Sequence, residues 1–417
     1  MTVQRLADAI RRPSVMRRHE RSSWPARFTN VFPRRTLLRH QDVANRHSAL
    51  ESQRQWGNEN MSIRFKALLA GIAAASTSMA AAAQDAKGPL YLLVPNVTTA
   101  RFAQFDIPNI TAALKEKAPE TKLVVLNAND DMQQQVSQAD AALSSGAAGI
   151  ILVAVDPLRS ASILAKADAD NVPVVTYAHD PGQGPVAYHV SVPFSDIGEA
   201  QAKYLVEHLP EHRPVRLAYM LGDPKFAFYG EQMKGFDKHV EPLVKNGTIK
   251  IVCRADALLY QAANAQKNME QCLTQTNNEV DGVVVMNDDT GGGVIAALTG
   301  QDLVGKVMLY GGYDATLEGV QRVLAGWQEA DMSPPYKAMA NAAVELVLAA
   351  AKGEKPREGL VNGTWDNKFT KGGVPARLEP NVFISKDNVQ KTVVDAGLYT
   401  KQQLCSGIAE KSDFCTK

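Results

Sequence analysis

From residue 91 onward the chain alternates short unbroken apolar runs with amphipathic stretches of helical spacing. Apolar runs at 91–95, 123–126, 149–155, 172–177 and 186–192 read as strands buried on both faces. Segments at 107–117, 131–144 and 160–169 carry the 3.6-residue period of helices packed against them. The grammar then restarts. Strands are expected at 215–220, 249–253, 283–286 and 306–310, with helices at 197–209, 229–243, 260–274, 317–325 and 337–351. The clearest unit is Val283-Val284-Val285-Met286 running into Asn287-Asp288-Asp289-Thr290 and three glycines, a tight strand-to-helix turn with Asp289 or Thr290 expected to cap the helix. Strand–helix alternation in two halves predicts an α/β protein of two doubly wound, Rossmann-like lobes. Crossings at 193–195 and 332–335, the second marked by Pro335, make the joint a multi-strand hinge. The expected division is 86–192 plus 333–378 for one lobe and 194–331 plus 379–417 for the other. Such lobes enclose a cleft between strand ends and can close on a ligand.

The 417-residue chain has a formal charge of only +1, and its distribution is uneven. Residues 1–60 hold twelve Arg, no Lys and five acidic residues, without apolar periodicity. At Met61 a short basic start leads into a small-residue apolar run and Ala81-Ala82-Ala83, the three-part form of a secretory signal. Residues 61–83 are therefore expected to be a signal peptide, and 1–60 upstream or disordered sequence. A flexible Ala-rich linker and a basic nucleic-acid-binding arm are the rival readings. The apolar run is shorter than the about 20 residues that span a bilayer. Residues 84–417 hold 31 basic and 39 acidic residues, a net of −8 that gives no general attraction to DNA or anionic lipid. The expected destination is the periplasm.

Four cysteines, Cys253, Cys272, Cys405 and Cys415, lack Cys-x-x-Cys spacing. After export, pairing of 253 with 272 and of 405 with 415 is favoured over free thiols. Gly300 to Lys306 has phosphate-loop spacing, but Val307 stands where a magnesium-holding Ser or Thr is needed. Asp288-Asp289 lacks further spaced ligands for a metal. No nucleophile–base pair is evident, so neither enzyme activity nor a cofactor is expected.

Arg101-Phe102, Gln232-Met-Lys234, Asn264 to Glu270, Asn287-Asp288-x-Thr290-x-Gly292-Gly293, Gly312-Tyr313-Asp314 and the tail from Lys386 to Gly397 carry a resemblance. Taken in order, they resemble periplasmic sugar-binding proteins of ABC importers, of the ribose/xylose-binding type and nearest to the D-xylose-binding proteins. The resemblance implies the type I periplasmic binding protein fold and a monosaccharide ligand, a xylose-like pentose or related sugar or polyol. It implies delivery to membrane permease subunits by a monomer, or docking on a chemoreceptor or sensor kinase instead. It places Asn287 and Asp314 on ligand hydroxyls, Arg101 and Phe102 as an Arg–aromatic pair, and Tyr260 as a second aromatic wall. Asp331 or Met332 falls near a ligand position at the second crossing. Where the family has Asp-Arg after the fourth strand, this chain has Ala178-His179 followed by Asp180, so His179 and Asp180 are the expected substitutes. Each residue also has an ordinary role: helix cap for Asn287 and Asp314, loop packing for Phe102, backbone hydrogen bonding for His179, a turn for Asp180, and a salt bridge across the cleft for Arg101.

Overall fold

The computed structural model describes residues 88–366 and 370–417. The expected upstream segment 1–60 and signal peptide 61–83 lie outside the described residues. Strands β1 (Leu90–Val94), β2 (Leu123–Asn127), β3 (Gly149–Leu152), β4 (Val174–Tyr177) and β5 (Tyr188–Ser191) alternate with helices α1 (Ile107–Lys117), α2 (Met132–Ser144) and α3 (Ala161–Ala169). Next come α4 (Phe194–Glu207), β6 (Val215–Leu221), α5 (Ala227–Lys245), β7 (Ile249–Asp256), α6 (Ala262–Thr276), β8 (Gly282–Val285), α7 (Asp288–Thr299), β9 (Met308–Gly311) and α8 (Leu317–Ala325). The chain then forms β10 (Asp331–Ser333), α9 (Tyr336–Ala351), β11 (Gly363–Trp365), β12 (Val374–Leu378) and β13 (Val382–Ile384).

Two sheets result. One has seven strands in the order β11-β12-β5-β4-β3-β1-β2, the other four in the order β7-β6-β8-β9. All neighbours are parallel except β11, which runs antiparallel to β12 at the edge. Both sheets are doubly wound, and their order reverses between β1 and β3 and between β6 and β8. Those are the switch points where open α/β sheets take ligands. The chain passes between the sheets at 192–193, 334–335 and 379–381, and β10 pairs with β13 in a small sheet of its own.

Period-two alternation explains why β1, an interior strand of its sheet, is apolar throughout. Leu90, Leu92 and Val94 face the cluster under α1 and α9, while Tyr91 and Leu93 face the cluster under α2 and α3. Each such side chain contributes about 1.5–3 kcal/mol when fully buried. The four-stranded sheet is covered on both faces in the same way. Disulfides join Cys253 to Cys272 and Cys405 to Cys415. No described helix is long and apolar enough to cross a membrane.

Two local expectations are corrected. The cap of α7 is Asn287 rather than Asp289 or Thr290. Its side chain accepts from the Thr290 N–H, and Thr290 returns a bond to the Asn287 N–H, which makes a capping box. The helix expected to start at 260 begins at Ala262, because Leu259 and Tyr260 hold φ of 57° and 56°. Those left-handed values cannot continue into a right-handed helix.

Candidate functional site

A cavity of about 70 Å³ lies between the carboxyl ends of the two sheets. One water needs only about 10–15 Å³ on this scale, so the space suits a compact ring of a few water volumes. From the seven-stranded side, Arg101 and Phe102 enter after β1 and His179 after β4; Asp130 and Val155 complete this wall. From the four-stranded side come Phe226 and Phe228 after β6, Tyr260 after β7, Asn287 after β8, and Tyr313 and Asp314 after β9. Phe194, the first residue of α4, stands at the joint.

Arg101 spans the seam. Its Nε lies 2.9 Å from Asp106 Oδ2 and its Nη1 3.3 Å from Asp314 Oδ1, with both carboxylates buried. The Tyr177 hydroxyl donates to the other Asp106 oxygen at 2.8 Å. A continuous polar line, Tyr177–Asp106–Arg101–Asp314, therefore connects the two walls. Arg101 Nη2 is buried without a hydrogen-bond partner, as is the Tyr260 hydroxyl. Burial raises the Asp314 carboxyl to about 6 against the opposing pull of Arg101. Asn287 is dual-purpose: its Oδ1 is committed to the α7 cap, while its side chain also hydrogen-bonds Asp314.

The apolar wall is a continuous group of rings. Phe194 stacks on Phe228 at 4.8 Å, Phe228 on Phe226 at 5.0 Å, and Tyr260 leans on Phe228 at 5.8 Å. His179 closes the group, 4.9 Å from Phe226 and edge-on to Phe102 at 5.7 Å. Burial lowers its imidazole to about 3, so it is neutral. With Nδ1 donating to the Ala154 carbonyl at 3.0 Å, Nε2 is left as an acceptor. Gly222, at the end of β6, makes room for Tyr260: a Cβ there would fall 1.9 Å from the tyrosine ring. Ala178, Tyr260 and Asp314 hold φ of 57°, 56° and 96°, a strained backbone at three of the strand ends bordering the cavity.

Six of the residues expected from sequence, Arg101, Phe102, His179, Tyr260, Asn287 and Asp314, thus surround one cavity. Asp180 and Asp331 do not line it. Asp180 turns the other way, into a neighbouring crevice beside Trp365. Asp331 is fully buried in β10, where its Oδ1 accepts from the Met332 N–H at 2.7 Å. Burial, and then the adjoining Asp288 carboxylate, push the Asp331 carboxyl well above the usual carboxylate range. Sequence reasoning missed Phe194, Phe226 and Phe228. Phe102 was expected from the resemblance, whereas Phe226 and Phe228 follow the end of β6 and could have been found from that position alone.

Residues 90–355 match the profile of the periplasmic binding protein domain. The D-xylose-binding periplasmic protein of Escherichia coli (strain K12) is 29% identical over 293 residues, 70% of this chain and 85% of its own. The multiple sugar-binding periplasmic receptor ChvE of Rhizobium radiobacter is 26% identical over 337 residues, 76% of this chain and 92% of its own. An ABC transporter solute binding protein from Clostridium phytofermentans, solved with bound β-D-glucose, shares the fold at a TM-score of 0.68 and 24% identity, covering 76% of this chain and 99% of that one. The chain is homologous to sugar-binding periplasmic components of ABC importers, which are transport proteins and not enzymes. It belongs to the periplasmic binding protein domain family.

Proposed function

We propose that this protein is the periplasmic solute-binding component of an ABC-type sugar importer. Its lobes, 86–192 plus 333–378 and 194–331 plus 379–417, close over one monosaccharide, a xylose-like pentose or a related sugar or polyol. The observation that carries this reading is the pairing of an aromatic wall with unspent polar atoms at its edge. Arg101 Nη2 and the Tyr260 hydroxyl lack partners, and Asp314 is held by a single 3.3 Å ion pair and the Asn287 amide. A sugar has C–H faces that the rings cover and hydroxyls that accept from Arg101 and donate to Asp314. Arg101, Phe102, His179, Tyr260, Asn287 and Asp314 are the proposed contacts. Each satisfied hydrogen bond nets about 0.5–1.5 kcal/mol, and leaving one unmade costs more, so selectivity among sugars follows.

The relatives named as periplasmic support export through the signal at 61–83. On this reading the protein delivers its ligand, as a monomer, to membrane permease subunits. The word "receptor" in the name of the Rhizobium radiobacter relative favours a second reading in which the closed form also signals to a sensor. Titration calorimetry on protein unfolded, dialysed and refolded is the test, with a panel of pentoses, hexoses and polyols. One sugar is expected to bind at micromolar strength, about −8 kcal/mol. Silence across the whole panel would overturn the sugar assignment.

A further inference from the structure

The seam between the sheets continues past the aromatic wall into a second crevice of about 570 Å³. Neighbouring residues divide between the two spaces. His179 lines the inner cavity and Asp180 the outer crevice; Phe226 lines the inner and its neighbours Lys225 and Ala227 the outer; Phe194 lines both. The crevice draws on both sides of the seam, with Asp180 and Trp365 opposite Lys225 and Glu231.

Asp180 is the most telling of these. It is only 5% exposed, and its Oδ2 has no hydrogen-bond partner. Burial raises its carboxyl, while hydrogen bonds from Trp365 and the Gly182 backbone hold it back. A buried acceptor left open costs stability and is relieved only when a donor arrives. Trp365 supplies a flat face whose seat is fixed by the buried His189 ring 4.6 Å away. Across the crevice the Lys225 ammonium sits 4.9 Å over Phe226. An anion would meet Asp180, Glu231 and Asp366, and a cation would meet Lys225. A neutral polyhydroxylated ring donates to the carboxylate, accepts from the ammonium and stacks a C–H face on the indole.

We propose that this outer crevice is a second saccharide subsite beside the inner cavity; this rests on the sugar reading above. The ring it takes is either the second unit of a disaccharide or a second free monosaccharide. Calorimetry with D-xylose and β-1,4-xylobiose, on wild type, Trp365→Ala, Trp365→Phe and Lys225→Ala, tests it. For the linked ring, xylobiose is expected to bind at least tenfold tighter than xylose. For the free ring, xylose fills a second, weaker site. In either case Trp365→Ala is expected to remove that extra binding tenfold or more while first-site xylose affinity moves less than twofold. Trp365→Phe, which keeps the plane, is expected to retain most of it. Should Trp365→Ala not fold, judged by its thermal transition, Lys225→Ala makes the same comparison from the opposite wall. A single xylose site with xylobiose no tighter, or equal losses for both sugars in the variants, would overturn the subsite and leave the inner-site reading standing. Failure of wild type to bind either sugar would overturn the subsite as stated, and only silence across the whole panel of pentoses, hexoses and polyols would remove the reading on which it rests.

Discussion

The wall hung from the seven-stranded sheet and the wall hung from the four-stranded sheet meet the cavity with different chemistry. The first brings the Arg101 cation, the neutral His179 and one phenyl ring. The second brings the Asp314 carboxylate, the Asn287 amide and the rings of Phe226, Phe228, Tyr260 and Tyr313. The two walls differ in electrical completeness. The seven-stranded wall pairs Arg101 with Asp106 by itself, whereas Asp314 on the other wall would keep only the Asn287 amide. Asp314 meets a countercharge only when the walls meet. A ligand that bonds Arg101 Nη2 and Asp314 together is therefore bonding the two lobes to each other, which is how binding energy biases a hinge toward its closed form.

The most severe way to break the comparison is Arg101→Ala. It strands Asp106 and Asp314 in a buried site with no countercharge. Removing one partner of a buried ion pair costs about 3–5 kcal/mol, and that loss is expected in urea unfolding together with loss of sugar binding. Asp314→Asn sharpens the contrast. Because burial already lifts Asp314 to about 6, the neutral isostere should lose less stability than Arg101→Ala while still weakening the ligand. Equal losses from the two variants would mean that Arg101 is held mainly by Asp314, contrary to its shorter bond to Asp106.

The same asymmetry explains what was legible in the sequence. Both sheets could be read because β1, β3, β4, β6 and β8 are almost wholly buried, and only Thr176 in β4 and Arg216 near the start of β6 interrupt their apolar runs. Strand-end position pointed Asn287 and Asp314 toward the cleft, while His179 was expected only from the resemblance, as a substitute for the family's Asp-Arg. Which way a side chain turns was not legible. His179 and Asp180 are adjacent, yet one faces the inner cavity and the other the crevice, a consequence of the left-handed turn at Ala178. Asp331 has the composition of a ligand residue, but its place in β10 buries it against Asp288, which lies far off in sequence. Phe226-Ala-Phe228 carried no polar signal, and in a linear reading such rings look like ordinary core.

Four buried groups answer acid with opposite signs. The seven-stranded side holds His179 and His189, both pushed by burial to about 3, and the four-stranded side holds Asp289 and Asp314, raised by burial to about 7 and 6. A depressed imidazole leaves the unfolded chain binding more protons below 6.5, so its contribution is lost as pH falls from 6.5 toward 3. A raised carboxyl leaves the folded chain binding more protons, so its contribution grows as pH falls through 7 and 6 toward 4. Between pH 7 and 5 the two pairs oppose each other, and wild type should change little on their account. His189→Gln removes one opponent without touching the cavity. Relative to wild type, the variant should gain about 2 kcal/mol of stability on going from pH 7 to pH 5 in denaturant titrations. No relative gain would mean that water reaches His189 and its imidazole titrates normally.

Tyr260→Phe has the smallest expected effect and isolates one atom of the four-stranded wall. The hydroxyl is buried with no hydrogen bond of normal geometry, only a weak pull from the Asp223 backbone, so deleting it removes a poorly satisfied group rather than a firm bond. The ring keeps its contacts with Phe226 and Phe228 and its seat over Gly222. Unfolding stability should therefore stay level or rise by up to about 1 kcal/mol. Sugar affinity should fall by about 0.5–1.5 kcal/mol, a factor of roughly two to ten, if the hydroxyl is reserved for a ligand. The opposed directions carry the argument. A variant that lost stability would show the hydroxyl bonded in the free protein, and one that kept full affinity would show the Tyr260 ring to be packing alone. In that second case the polar grip would rest on Arg101, Asn287 and Asp314, and the aromatic wall would set only the ligand's shape.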